Sequence, residues 1–469
     1  MNSKYALSSF FLNGIKSKAL PKQIYYATLI NTHVCFRLTL FLCCLGMFSK
    51  EAGAQKVIRL SIKQAFTLAV NNNKTIEKYR IESGIAEKLV KEQQEQRLPD
   101  AEIHGAYAQI TNLTEFRHGL SDRDVTKTIP AIADLTASAS LPLYAGSKIK
   151  HSIIKAQAEH DIAALKFEQA CQEVKIEVAD VFLRIYKMTE LARLIKESLA
   201  EENQRLKEVK SLKAHGAVTN NEILRAELQC SEMQLALMTN QTNIATVNHE
   251  LRTLLQLPED ERFEIDTVSV LKDSPAFTSY KGYLQVAMEN EEMLLSQKQE
   301  FLRLTEKRIL KSTYYPTISL FSVYGLNYPN YMFFPPSPYL YTLGRIGLEA
   351  RFNVANLYKN KTRMQIAEKR IQQQKAETEI TRNMISNRIF KHFAELEDFK
   401  GKTSLSKQAE LQAYENYRIV RVKYLNQLAL ITEMIDADNE LLKAKFNTIS
   451  LRIDAAMKFY ELQRAAGIL

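Results

Sequence analysis

Glycine and proline are scarce in this chain, with 14 and 11 among 469 residues, and no proline follows Pro338. The few that occur are clustered, and the long stretches between them are rich in Ala, Glu, Lys, Leu, Gln and Arg, which favour helices. The sequence also lacks a nucleophile elbow, a phosphate-binding loop and any metal-ligand spacing. These absences argue against an enzyme, and they predict neither a cofactor nor a metal.

Cysteine is equally sparse. Three of the five cysteines lie within the first 44 residues, which leaves Cys171 and Cys230. On opposite arms of a helical hairpin that turns near Gly216, these two would lie ~45 Å apart. A disulfide cannot span that distance, and the pair matches no redox or zinc motif. Both are therefore expected to be free thiols.

No apolar run is long enough to span a bilayer as a helix, which needs ~20 residues. Residues 38–48 form the apolar segment nearest the N-terminus; they follow a basic stretch and precede Ala52-Gly53-Ala54. This order predicts an export signal peptide over residues 1–54, with a signal anchor as the alternative. Without this leader the net charge falls from +10 to about +5, so nucleic acid is not a predicted partner.

Two regions are predicted to form long helical hairpins. Residues 147–215 contain neither glycine nor proline, and a helix of that length would extend ~100 Å. No single globular domain buries such a helix, so it must pack on another. Apolar residues after each predicted tip follow steps of four and three, which indicates a coiled-coil seam. The seam positions are Leu224, Leu228, Ser231, Leu235, Met238, Thr242 and Ala245 after the first tip, and Ile435, Leu442, Phe446, Ile449, Ile453, Ala456 and Tyr460 after the second.

Four segments are predicted to be strands, at about 101–111, 135–145, 317–328 and 342–354, because apolar and polar residues alternate in them. A strand with one apolar and one polar face fits a membrane barrel with lipid outside and water inside. Taken singly, each would also fit the edge of a soluble sheet. Arg345, Glu349 and Arg351 share the polar face of the last strand and are predicted to line the barrel lumen.

The chain reads as a duplicated unit. Leu98-Pro99 and Tyr315-Pro316 lie 217 residues apart, and the two hairpin tips lie 211 apart. Such a near-constant offset predicts two repeats, at residues 55–265 with a tip near 216 and at residues 266–469 with a tip near 427. Four strands cannot close a membrane barrel, so several protomers must contribute strands to one barrel. A trimer would supply twelve; a dimer is not excluded.

Several segments resemble the TolC-type outer-membrane efflux proteins. Residues 60–73 resemble the opening helix of that family, residues 143–146 resemble its strand-to-helix exit, and the two tips, residues 216–226 and 424–437, resemble it most closely. The resemblance spans essentially all of the chain beyond the leader. It implies a mainly α fold with membrane β, in which helical coiled-coil hairpins form a periplasmic barrel below a shared 12-stranded transmembrane barrel.

The resemblance also implies a function and partners. The chain would act as a homotrimer in the outer membrane of a Gram-negative bacterium, in contact with outer-membrane lipid. It would be the passive exit duct of a tripartite efflux or type I secretion system, docked to a periplasmic adaptor and, through it, to an inner-membrane pump of the RND or ABC type. The alternative is a periplasmic coiled-coil adaptor protein without a pore of its own.

Glu433 and Asp436 are three residues apart and share one helix face. They match the acidic entrance constriction of the family, and three copies would place six carboxylates around one axis, which favours cations. A different explanation is that acids in a first helical turn simply interact favourably with the helix dipole.

Two further residues match gating contacts of the family. Glu222 and Tyr424 would help to tie the hairpins together, although Ala429 stands where the best-known member has an arginine. Glu222 also follows Thr219 by three residues, which is the spacing of a capping box.

The tips also carry candidate docking residues for the adaptor, because apolar side chains at a wet tip usually mark contacts. Packing between neighbouring tips is the alternative. Gln427 replaces the usual glycine of the second tip, so that turn must either change its backbone geometry or tolerate strain. The docking candidates are Gly216, Ala217, Val218, Leu428, Leu430 and Ile431.

Overall fold

The structure, a computed structural model, describes residues 58–259, 263–266, 279–333 and 335–469. The predicted signal peptide lies outside these residues. Arg59–Glu259 and Phe263–Leu469 form one unit, and helices dominate it, so the predicted mainly helical fold is confirmed.

The order helix, helix, long strand, long strand, helix, helix occurs twice, and the first half has four additional short strands. In the first half, β1 (Ile58–Leu60), α1 (Ile62–Asn72) and α2 (Lys74–Glu95) precede β2 (Asp100–Gln109), β3 (Leu113–Phe116), β4 (Arg123–Thr126) and β5 (Ala131–Tyr144), which lead into α3 (Lys148–Ala214), α4 (Asn220–Leu255) and β6 (Phe263–Ile265). In the second half, α5 (Tyr280–Ala287) and α6 (Glu291–Ser312) precede β7 (Thr317–Tyr328), β8 (Tyr341–Arg351), α7 (Asn356–Leu425) and α8 (Ile431–Ala466).

Each long helix is covered by two shorter ones. The 67 residues of α3 extend ~100 Å. Near its C-terminus α3 packs on α4, where Lys210 pairs with Glu227, and near its N-terminus it packs on α2, where Arg80 lies over the ring of Phe167. The second half repeats this arrangement, since α8 and α6 cover α7.

The main core lies near the middle of α3. Steps of four and three along α3 bury Val174, Val178, Val181 and Ile185, so one face of the helix contacts α1, α4 and α8. Full burial of an aliphatic or aromatic side chain contributes about 1.5–3 kcal/mol. A second core joins α5, α7 and α8 around Tyr283, Ile385, Ile389 and Leu462.

The larger sheet has the strand order β2-β5-β7-β8, and every neighbouring pair is antiparallel. Side chains alternate between its two faces, and the register sorts them by polarity. The apolar face carries Ile103, Leu135, Ala137, Leu320, Tyr324, Leu326, Ile346 and Leu348. The polar face carries Asp100, Glu102, His104, Thr136, Ser138, Ser140, Ser319, Arg345, Glu349 and Arg351.

The two predicted seams have different surroundings. Along α8 the seam is covered, with Ile453 and Tyr460 buried. Along α4 the seam is bare within one chain, because Leu235 and Met238 are 65% and 64% exposed. Helix α4 instead buries a different stripe, which includes Met233, against α3.

Cys171 and Cys230 are free, as expected. Burial raises the pKa of both thiols.

Candidate functional site at the helical tips

Both hairpin tips have the same backbone geometry. Helix α3 ends in a Schellman motif, in which Gly216 donates to Lys213 and Ala217 donates to Leu212. Gly216 has a φ of 76°, and no atom of the described residues beyond its chain neighbours lies within 4 Å of a Cβ built on it.

The second tip repeats that motif with a glutamine in the left-handed position. Gln427 donates to Tyr424 and Leu428 donates to Lys423, and the φ of Gln427 is 61°. The turn therefore keeps the geometry of the first tip and tolerates strain of about 1–2 kcal/mol.

Glu433 and Asp436 are both exposed on one face of α8, just beyond the second tip. The opposite face is buried through Ile431, Met434 and Ala437. The two carboxylates therefore share an open face, as their spacing predicts.

Tyr424 and Glu222 come near each other without a hydrogen bond. Tyr424 packs against two small clusters of buried side chains, one that contains Val209 and one that contains Tyr417. Its buried hydroxyl has no hydrogen-bond partner among the described residues. Burial, followed by the charge of Glu222, raises the pKa of Tyr424. The proposed capping box is wrong, because the Thr219 side chain makes no capping hydrogen bond.

The candidate docking residues divide into two groups. Gly216, Ala217, Leu428 and Leu430 are exposed at the tips. Ile431 is 3% exposed and packs with Val209 and Ala226, and the half-buried Val218 packs against this cluster. The expectation that Ile431 forms part of an exposed docking surface is therefore wrong: it joins the two hairpins.

Three ionisable side chains that sequence reasoning missed are buried between the hairpins. Glu202 and Arg205 lie on α3 and Asp438 lies on α8, and their exposed fractions are 0%, 6% and 4%. Arg205 donates to Glu202, and its Nη1 lies 3.8 Å from Oδ2 of Asp438. Burial first, and the Asp438 carboxyl second, raise the pKa of Glu202 to about 7.

The sequence carries a signal for this cluster. The buried stripe of α3 continues through Ser198, Glu202, Arg205 and Val209 in steps of four, three and four. Charged residues at positions of an apolar stripe must be paired or pay a large desolvation cost. The spacing alone could have identified Glu202 and Arg205 as buried partners.

A groove separates the long helices α3 and α7 beside this cluster. Its volume is about 350 Å³, and its lining includes Glu201, Arg205, Tyr417 and Tyr424. The Tyr417 hydroxyl crosses the groove and donates to Glu201 at 3.3 Å.

At the sheet, Arg345, Glu349 and Arg351 share the polar face of β8 and are exposed in the single chain. Arg351 donates to Glu349 at 2.8 Å, and Arg345 lies over the ring of Phe321, 6.0 Å from its centre.

One group among the described residues has the side chains of a metal site: His392, Glu395 and Glu461. Lys458 pairs with both carboxylates, at 3.2 and 2.8 Å. The cluster already holds its own cation, so it is best described as an ion-pair network between α7 and α8. Within the described part of the chain, no helix combines the length and the apolar content that a membrane crossing requires.

Comparison with known proteins gives a family match over part of the chain and a shared fold. The family described as "Outer membrane efflux protein" matches residues 66–256. No curated protein matches the sequence.

Several solved structures share the fold at low sequence identity. CusC is 15% identical, with a TM-score of 0.73 over 90% of this chain and 96% of its own. VceC of Vibrio cholerae is 14% identical, with a TM-score of 0.69 over 87% and 96%. The MtrE outer-membrane channel of Neisseria gonorrhoeae, in its open state, is 15% identical, with a TM-score of 0.67 over 87% and 89%.

Proposed function

We propose that this chain, a member of the outer membrane efflux protein family, is one protomer of a trimeric outer-membrane exit duct. The family consists of non-enzymatic channels. The observation that carries the proposal is the β2-β5-β7-β8 sheet, which has one apolar face, one polar face and two edges that no other described strand pairs with.

The sheet requires partners if it lies in a membrane. Unpaired strand edges are not tolerated in lipid, and four strands are too few to close a barrel. The edge strands β2 and β8 run in opposite directions, since each of the three pairings between them is antiparallel. An edge β2 can therefore pair with β8 of another copy in the same antiparallel pattern, and three copies give a barrel of twelve strands.

The duplicated helices support the same ring. Within one chain the seam of α8 packs on α3. The equivalent seam of α4, 211 residues earlier, is exposed. On α7, Phe390 and Leu405 are exposed at positions that match the buried Ala179 and Leu194 of α3. We infer that α4 of one copy packs on α7 of the next, which repeats the α3–α8 contact between chains and is head-to-tail.

In such a ring the polar sheet face, with Arg345, Glu349 and Arg351, lines the lumen, and the apolar face meets outer-membrane lipid. Glu433 and Asp436 line the periplasmic entrance, where the acid pair of each copy faces the axis and favours cations. The exposed tip residues Leu428 and Leu430, with the glycine turn of the first tip, dock a periplasmic adaptor joined to an inner-membrane pump. The signal peptide over residues 1–54 directs export.

Two measurements test this function. The purified protein in detergent should have three times the mass of one mature chain, and it should conduct ions across a planar bilayer. A pool that salt extracts from the periplasm, together with no conductance, would instead support the periplasmic adaptor without a pore.

A further inference from the structure

The buried cluster of Glu202, Arg205 and Asp438 lies where the second hairpin meets the first. Arg205 and Glu202 belong to α3, and Asp438 belongs to α8, two turns beyond the second tip. Helices α3 and α7 are separated by the groove at this level. The second hairpin therefore contacts α3 here mainly through α8.

Several other contacts cross between the hairpins near the tips. Ile431 packs on Val209 and Ala226, and Gln229 donates to Asn439 at 2.8 Å. Tyr417 reaches Glu201 across the groove. The ion cluster is the only buried charged contact among them within the described residues.

The cluster has one cation for two carboxyl groups. Oε2 of Glu202 and Oδ2 of Asp438 are both buried and accept no hydrogen bond from the described residues. Two adjacent carboxyl groups in a buried site cannot both ionise at low cost, but a proton shared between them gives each orphan oxygen a partner. With one such proton the cluster is neutral.

We propose that Glu202, Arg205 and Asp438 form a proton-dependent latch that holds the second hairpin against the first, so that loss of the shared proton favours outward movement of the second hairpin. This inference rests on the proposed channel function, because that movement widens the entrance beside Glu433 and Asp436. Positioning residues of this kind act through the hairpin and contact no cargo.

Other titratable groups face the cluster, but they do not titrate in the pH range in which the cluster changes its charge. Cys230 faces it from α4, and Tyr417 and Tyr424 face it from α7. Burial raises the pKa of the thiol above 9.0 and of both phenols above 10.0, so all three are neutral from pH 5 to 8. Glu222 and Glu208 act on Tyr424, and Glu227 and Lys210 act on Cys230.

The direction of the pH effect follows from the raised pKa of Glu202. Its value is about 7 when the hairpins are in contact, against an ordinary 4.5. Between these values the closed contact binds more protons than a separated, solvated one. Acid therefore favours the closed contact, the preference declines as pH rises from about 4.5 to about 7, and it stays low above that.

Conductance of the complete channel tests the latch. In planar bilayers the wild-type open conductance should rise by roughly tenfold or more between pH 5 and pH 8, since each unit of pKa difference is worth a factor of ten. Glu202→Gln keeps the shape of the side chain but cannot ionise, so its conductance should stay at the acid level throughout. Glu197→Gln, an exposed carboxylate on the same helix, should follow the wild type.

A distance measurement separates failure of the latch from failure of the channel. Nitroxide labels at Ala214→Cys and Lys423→Cys, with Cys171 and Cys230 changed to serine, report the separation of α3 and α7 by pulsed EPR. The separation should increase from pH 5 to pH 8, and Glu202→Gln should abolish the change. No conductance in any variant overturns the channel, whereas a pH response that survives in Glu202→Gln overturns the latch.

Discussion

The two halves of the chain share their backbone and differ in the side chains at equivalent positions. Helices α4 and α8 both have 36 residues, and α2 and α6 both have 22. At the tips the left-handed residue is Gly216 in the first half and Gln427 in the second; at the ends of α4 and α8 it is Gln256 and then Gly467. The turn geometry therefore follows from the end of the helix and its hydrogen bonds, and glycine only relieves strain.

The two halves also differ in charge at positions that lie 211 residues apart. Glu222 and Arg225 of α4 occupy the positions of Glu433 and Asp436 of α8. One half thus presents a balanced pair and the other presents two acids. The duplicated fold has kept its helices, while the charges at these equivalent positions have diverged.

The largest expected effect comes from the cluster that joins the halves. Arg205→Met leaves two buried carboxyl groups without their cation, and breaking a buried pair in this way destabilises by about 3–5 kcal/mol. Urea unfolding of the purified protein measures this change. Lys207→Met, on the exposed face of the same helix, should alter the free energy of unfolding by less than about 0.5 kcal/mol; equal losses in both variants would contradict a buried ion cluster.

The second effect should appear in assembly. Leu235→Asp with Met238→Asp places charges on the exposed seam of α4. In the proposed ring this seam packs on a neighbouring copy, and burying each apolar side chain there would contribute about 1.5–3 kcal/mol. The proposed trimer should then dissociate, and mass in detergent measures this. Gln234→Asp with Thr239→Asp adds the same charge beside the seam and should leave the trimer intact. A stable trimer in the seam variant would exclude α4 as the contact.

The long helices and both tips could be predicted from the sequence, because long runs without glycine or proline are compatible with few other folds. Periodicity marked Leu235 and Phe446 alike as seam positions, but it could not show that one is exposed and the other covered, since that depends on which helix packs beside each. Ile431 was predicted to dock a partner because tips are expected to be wet. Its burial depends on Val209 and Ala226, which come from the other hairpin.

Each half has one glycine among its two left-handed helix ends, Gly216 in the first half and Gly467 in the second. Replacing each of them should have a smaller effect on stability. Gly216→Ala adds a side chain to a left-handed residue in open space, so only the strain of about 1–2 kcal/mol applies. In Gly467→Ala the new Cβ would also lie 2.8 Å from the Cβ of Asn290. The second variant should therefore be the less stable of the two. Urea unfolding measures the free energy of unfolding of both variants. An equal decrease in the two would mean that the N-terminal end of α6 moves away from residue 467 at little cost.

The smallest expected effect concerns ion selectivity. Asp436→Arg gives the second half the Glu-Arg pair of the first and, in a trimer, replaces three acids by three cations at the entrance. Cation-over-anion permeability, measured from reversal potentials in planar bilayers, should fall severalfold, because charged rings set the local ion concentration. Arg225→Asp makes the reciprocal change on α4 and should leave selectivity unchanged. If both variants shift it equally, the entrance is shared by the two halves; if neither does, the acid pair serves only the helix dipole.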